Sequence, residues 1–358
     1  MNRQRTARSL ARLATVVCAL STVAIGCGSS GSSQSSSSSS APGGSSATSS
    51  AATSSASSSA APASSGGGGK KLIVIDVPPL SNPFFAAEAK LAKQEAQKLG
   101  YRTLVLNNNS DPNLQATQID EAISDHAAAI ILDNASATAS IAAIQKAKTA
   151  GVPSFLIDRE INKTGIAVAQ LVSNNYTGAQ LGAAEFAKLM HDKGQYAELL
   201  GLSTDTNAAT RSQGYHSVLN QISGLKMAAQ QSANWDQTKA FQVTETLLQA
   251  HPDIKGIISG NDTMALGALA ALKATHHTNV IVTGLDGSQQ VVNSIKTGGI
   301  KATVLQPLAI FAKQAVDEAN AYIKTGKKPA QEKQLLPCYL ITPANASKVN
   351  NFVYSGAA

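Results

Sequence analysis

Planar polar side chains recur just downstream of short apolar runs in this 358-residue chain. Asn82 stands with Phe84 and Phe85 after the run 72–77, and Asp158 with Arg159 after 154–157. A polar stretch after 196–200 leads to Arg211, and Asn234-Trp235-Asp236 follows 226–229. The runs 256–259, 280–283 and 302–305 lead into Asn261-Asp262, Asp286-Gly287 and Gln306. Carboxylates accept hydrogen bonds, guanidinium groups donate them and amides do both, so each of these groups can hold two neighbouring hydroxyls at once. Aromatic residues make up only 4% of the chain and there is one tryptophan, yet Phe84, Phe85 and Trp235 all fall at these positions. Rings that cover the C–H faces of a small molecule, with planar polar groups around its rim, are what a buried polyol requires. Asp158 and Asp286 balance Arg159 and Arg211, which favours a neutral polyhydroxylated ligand over an amino acid or a phosphate.

Enzymatic readings find little support. The sequence has no GxSxG, no HExxH and, in its folded part, no CxxC. The glycines 66–69 before Lys70-Lys71 lack the Ser or Thr of a phosphate loop, and the six histidines are scattered, with His276-His277 in a polar turn. A glycosidase needs two carboxylates across one scissile bond. Asp158 and Asp286 are the candidates, but their arginine neighbours are expected to hold both ionised and leave no acid. The chain is therefore read as a non-enzyme, with no cofactor and no metal.

The elements that must position these residues alternate. Apolar runs at 72–77, 103–106, 128–132, 154–157 and 167–172, then at 196–200, 226–229, 256–259, 280–283 and 302–305, are mostly unbroken, as expected of strands covered on both faces. Asn82-Pro83 can start a helix that stops at Leu99-Gly100. Asp111-Pro112 starts another, with Leu114, Gln118, Ala122 and His126 along one side. Strand and helix alternating twice over predict an α/β fold of two doubly wound, Rossmann-like lobes with parallel sheets, in which ligands bind beyond the carboxyl ends of the strands.

The first 70 residues read differently. Arg3, Arg5, Arg8 and Arg12 precede an apolar run at 13–25, too short to span a bilayer, and residues 1–26 read as a signal peptide. Ala24-Ile25-Gly26-Cys27 resembles a lipobox, making Cys27 the expected lipidation site. Residues 27–69 are then a lipid-anchored linker, almost wholly Ser, Ala, Gly and Thr, with a root-mean-square span of roughly 35 Å. The expected location is the outer face of the cytoplasmic membrane, or the periplasm. The leader arginines supply more than half of the formal net charge of +7, and no basic stripe for nucleic acid remains. Cys338 is left as a lone thiol, expected to be buried as a small hydrophobe.

Seven segments together resemble the ribose-type periplasmic binding proteins, the type I sugar-binding components of ATP-driven importers. They are SNPFF at 81–85, LIDRE at 156–160, TRSQGY at 210–215, NWD at 234–236, HPDIKGIISGNDTMALGA at 251–268, GLDG at 284–287 and TVLQP at 303–307. The resemblance covers nearly all of 70–345. It implies sugar contacts from Asn82, Phe84, Phe85, Asp158 and Arg159 in the first lobe, completed by Arg211, Trp235, Asn261, Asp286 and Gln306. It also implies a hinge of several crossings, with one lobe at 70–173 and 307–335 and the other at 174–306 and 336–358. Two positions depart from the ribose pattern: Pro78 stands in place of a small hydroxyl residue, and Asp133, a possible further ligand contact, in place of Asn. Ribose itself is thereby disfavoured, and another pentose, a hexose or a short polyol remains open. The implied partner is an ABC permease, with the membrane met only through the lipid anchor, no nucleic acid, and a monomeric protein. The alternative role is a sensor that presents its closed form to a receptor kinase or chemoreceptor.

Overall fold

Runs such as Leu-Ile-Val-Ile-Asp-Val suit an extended chain buried on both sides. In the computed structural model, which describes residues 70–356, they form the strands of two parallel sheets. The expectations for the leader, for Cys27 and for the linker concern residues outside that range. The first lobe runs β1 (Leu72–Val77), α1 (Pro83–Lys98), β2 (Arg102–Asn107), α2 (Pro112–Ser124), β3 (Ala129–Leu132), α3 (Ile141–Thr149), β4 (Ser154–Ile157) and β5 (Ala169–Ser173). The second runs α4 (Asn175–Leu189), β6 (Gly194–Leu200), α5 (Thr206–Leu219), β7 (Leu225–Ser232), α6 (Gln237–Ala250), β8 (Ile254–Ser259), α7 (Asp262–Ala274), β9 (Ile281–Thr283), α8 (Gln289–Lys296) and β10 (Thr303–Leu305). The chain then passes through α9 (Leu308–Thr325), β11 (Lys333–Leu336) and β12 (Tyr339–Ile341), and ends in a hairpin of β13 (Val349–Asn350) and β14 (Val353–Tyr354).

The first sheet has the order β11-β5-β4-β3-β1-β2, every pair parallel. Its two faces take alternate side chains of β1. Ile73, Ile75 and Val77 pack with the residues of α1 and α9, and Leu72 and Val74 with Ile119 and Ile144 of α2 and α3. Each such aliphatic side chain, fully buried, contributes about 1.5–3 kcal/mol. The second sheet has the order β7-β6-β8-β9, and parallel bridges Thr283–Ala302 and Asp286–Leu305 carry it on to β10 and its antiparallel partner β12. In both sheets the strand order reverses beside the central strand, β1 or β6, which opens a crevice at the carboxyl ends.

All ten expected strands form. β11 and β12 were not anticipated as strands, because Lys-Gln-Leu-Leu and Tyr-Leu-Ile are too short and mixed to stand out. Helix α1 begins as expected, with Asn82 Oδ1 accepting from the Phe84 N–H at 3.0 Å and Pro83 in the first turn. In α2 the buried side is Gln115, Ile119 and Ala122, one residue round from the expected stripe. Ile119 supplies the apolar surface there, and His126 is exposed beyond the helix end. Cys338 is buried against Val304 and Leu285, and burial pushes its thiol up to about 11. No helix among the described residues is long and apolar enough to cross a membrane.

Candidate functional site

The strand ends of the two sheets face each other. Asn82, Phe84 and Phe85 come from the turn after β1 and the start of α1, and Asp158 and Arg159 follow β4. Arg211 lies on α5, Trp235 follows β7, Asn261 caps α7, Asp286 follows β9, and Gln306 follows β10. All ten expected residues are buried and line one small cavity between the lobes, together with Asp205 and Asn207. Asp133 is not among the lining residues. It lies behind Arg159, its Oδ1 3.4 Å from Nε.

Each guanidinium lies over a ring. Arg159 stands 5.1 Å from the centre of Phe85 and Arg211 5.3 Å from that of Trp235, which holds the charged groups and the apolar faces in one rigid frame. Arg159 also donates to the Asn134 carbonyl at 3.2 Å and sits 2.8 Å from Asp205. Arg211 donates to Asn175 Oδ1 at 2.7 Å and to the Gly260 carbonyl at 3.0 Å, and approaches Asp286 at 3.6 Å. Gln306 donates to Asp286 at 2.9 Å and accepts from the Ser173 hydroxyl at 2.8 Å. The backbone is strained where it turns side chains into the site, with φ of 59° at Asp158, 65° at Trp235 and 144° at Asp286. Gly201 is required by Trp235: a Cβ there would overlap the indole ring.

The charge balance differs from the sequence expectation. Asp158 and Asp286 are joined by Asp205, and by Asp133 and Glu88 behind Arg159, so carboxyl groups outnumber the two guanidiniums. Burial works against the excess of negative charge. Burial raises the Asp286 carboxyl well above its ordinary range despite the opposing pull of Arg211. Burial likewise raises Asp158 to about 6, with Arg211 and Arg159 opposing and Asp205 adding to the rise. The expectation that arginine neighbours keep both carboxyls ionised is weakened for Asp286, where desolvation outweighs the cation, whereas Asp158, at about 6, stays mostly ionised at neutral pH. Glu88 and Asp133 are fully buried, and burial, followed for Glu88 by repulsion from Asp133 and Asp158, drives both well above the carboxylate range. Among the described residues their four oxygens have no hydrogen-bond partner, and Asp133 meets only the Arg159 Nε at 3.4 Å. Arg159 is held in its charged form. Burial disfavours its charge, but Asp205, Asp133, Asp158 and Glu88 more than offset this and raise its pKa.

Glu88, Asp205 and Asn207 were missed by the sequence reading. Glu88 had a signal: it lies three and four residues after Phe85 and Phe84, on the same face of α1. Asp205 and Asn207 lay unsingled in the polar stretch before Arg211. Asp262, adjacent to Asn261, turns out to be structural. It accepts from Thr303 Oγ1 and from the Ser288 N–H, each at 2.6 Å, and burial raises it to about 6.

Residues 73–328 match the periplasmic binding protein domain. The chain belongs to that family. Two relatives are each called "D-apiose import binding protein". The one from Paraburkholderia graminis is 56% identical over 278 residues, covering 78% of this chain and 89% of the relative. The one from Actinobacillus succinogenes is 57% identical over 282 residues, covering 78% and 91%. Among solved structures, the myo-inositol binding protein of Caulobacter, with myo-inositol bound, superposes with a TM-score of 0.74 at 27% identity, covering 80% of this chain and 97% of that one. The two-lobed α/β architecture is thus that of a type I periplasmic binding protein.

Proposed function

We propose that this protein captures a neutral sugar between its lobes and hands it to an ABC permease, and that D-apiose, a branched pentose, is the sugar. The observation that carries the reading is a cavity whose buried lining brings together aromatic faces, two guanidiniums and several carboxyl and amide groups. Hydrogen-bond capacity is turned into that space: Asp158 Oδ1 is buried with no hydrogen-bond partner among the described residues, which suits an acceptor of a sugar hydroxyl. Relatives at 56% and 57% identity whose names specify D-apiose import support the choice of sugar. The departures at Pro78 and Asp133 point away from ribose in the same direction.

In this reading the ten residues named from the sequence contact the sugar, Asp205 and Asn207 complete the wall, and Asp133 acts through Arg159. The lobes divide at 70–173 with 307–335 and 174–306 with 336–358; β11 pairing with β5 and β12 with β10 support that division. Closure about the three crossings traps the ligand and creates the surface a permease can read. The protein acts as a monomer, without catalysis, tethered by a lipid on Cys27 through a linker reaching roughly 35 Å. Trp235 is the one tryptophan and lines the cavity, so its fluorescence reports occupancy. Titration with D-apiose is expected to change that fluorescence saturably, at lower concentrations than D-ribose, D-allose or myo-inositol. No response to any of the four would contradict the sugar-binding reading, and a stronger response to another sugar would contradict the choice of D-apiose.

A further inference from the structure

One short segment of the second lobe holds the first lobe directly. Between β6 and the first turn of α5, the Thr204 carbonyl accepts from the Ala137 N–H at 3.0 Å. Asp205 Oδ2 lies 2.8 Å from Arg159 Nε, both side chains 1–2% exposed. Asn207 Nδ2 donates to the Asp158 carbonyl at 3.2 Å. Ala137, Asp158 and Arg159 all belong to the lobe of the first sheet, so these three contacts cross the cleft. Asp205 is the charged member, and its carboxylate is already committed to protein groups. Oδ1 accepts from the Asn207 N–H at 2.9 Å, and Oδ2 accepts from Trp235 Nε1 at 3.1 Å while facing Arg159. The ion pair exists only when the lobes meet, since its partners are carried by different sheets.

We propose that Asp205 is a positioning residue, a latch that ties Arg159 of one lobe to Trp235 of the other and so slows reopening of the cleft around the bound sugar. It rests on the sugar-binding reading but makes little use of ligand chemistry. Three acceptor directions of the carboxylate are taken, so Asp205 acts by holding a guanidinium and a ring in place and not by reading a hydroxyl. On opening, Arg159 keeps Asp133 while Asp205 keeps its helix-capping bond and Trp235, so neither is left as a lone buried charge. The cost of losing the latch therefore falls on the closed state and leaves the folded lobes intact.

Stopped-flow Trp235 fluorescence with D-apiose on the wild type, Asp205→Asn and Asp205→Ala tests this. Asparagine keeps one acceptor oxygen for the cap and puts an NH2 donor where Oδ2 faced the indole and Arg159, so it loses the charge and the indole bond; alanine loses the cap as well. Dissociation is expected to quicken about tenfold in Asp205→Asn and further in Asp205→Ala, with association within about threefold; sugar-free Asp205→Asn keeps its melting temperature, and Asp205→Ala, which also loses the helix cap, melts slightly lower. An unchanged dissociation rate, or a loss carried wholly by association, would overturn the latch. If the wild type binds no sugar, small-angle scattering of the sugar-free proteins still decides it: a larger radius of gyration for Asp205→Ala than for the wild type supports the latch, and equal radii overturn it.

Discussion

Replacing Arg211 with alanine is expected to weaken sugar binding by about two to three orders of magnitude while the sugar-free protein stays folded. The side chain holds four things together: Asn175, the Gly260 carbonyl, Asp286 and the face of Trp235. Removing one member of a buried charged pair typically costs about 3–5 kcal/mol, because the other is left without compensation. Here the penalty has an escape. With the cleft open, Asp286 meets water, so the loss appears as failure to close and not as unfolding. Calorimetric titration with D-apiose, beside a thermal melt of the sugar-free variant, checks both halves of the expectation. Retention of affinity within tenfold would mean that Arg211 does not contact the sugar.

Arg159→Met should be at least as damaging, and it should change the pH dependence. Glu88, Asp133, Asp158 and Asp205 face the guanidinium from α1, the ends of β3 and β4, and the segment before α5, with Arg211 and Asp286 across the cavity. The variant must bury these carboxyls without their nearest cation. The pKa values of Glu88, Asp133 and Asp158 in the closed state are already raised by burial, and Arg159 is among the groups that lower them. Without it they rise further. A carboxyl whose pKa is higher in the closed form than in the open form takes up a proton on closure, so closure is favoured at low pH and lost as pH rises through the closed-state value. Residual affinity of Arg159→Met is therefore expected to strengthen from pH 8 to pH 5, by more than any change in the wild type. A flat profile, or one that weakens toward acid, would contradict this arrangement of charges.

How much of this was legible beforehand follows from the range of the forces involved. The strands were readable because burial on both faces demands unbroken apolar runs, as in β1 and β3. The start of α1 was readable because Asn82-Pro83-Phe84 encodes its own cap. The ten cavity residues were found because they follow strands, and a doubly wound sheet presents whatever follows its strands. β11 and β12 escaped because their place depends on pairing with β5 and β10, which is not written in four or three residues. The charge balance was misjudged for the same reason. Glu88 lies far along the chain from Asp133 and Asp158, and only the fold shows that they crowd one guanidinium. Desolvation, which decides their protonation, is a property of the packed site.

The central claim, that one neutral sugar sits among these rings and guanidiniums between the lobes, is tested most directly by a crystal structure of the protein grown with D-apiose. The account predicts one sugar in the cavity, covered by Phe85 and Trp235, with hydroxyls on Asp158, Arg159, Arg211 and Asp286. A sugar bound elsewhere, or a cavity filled by Phe85 and Trp235 themselves at saturating D-apiose, would contradict it.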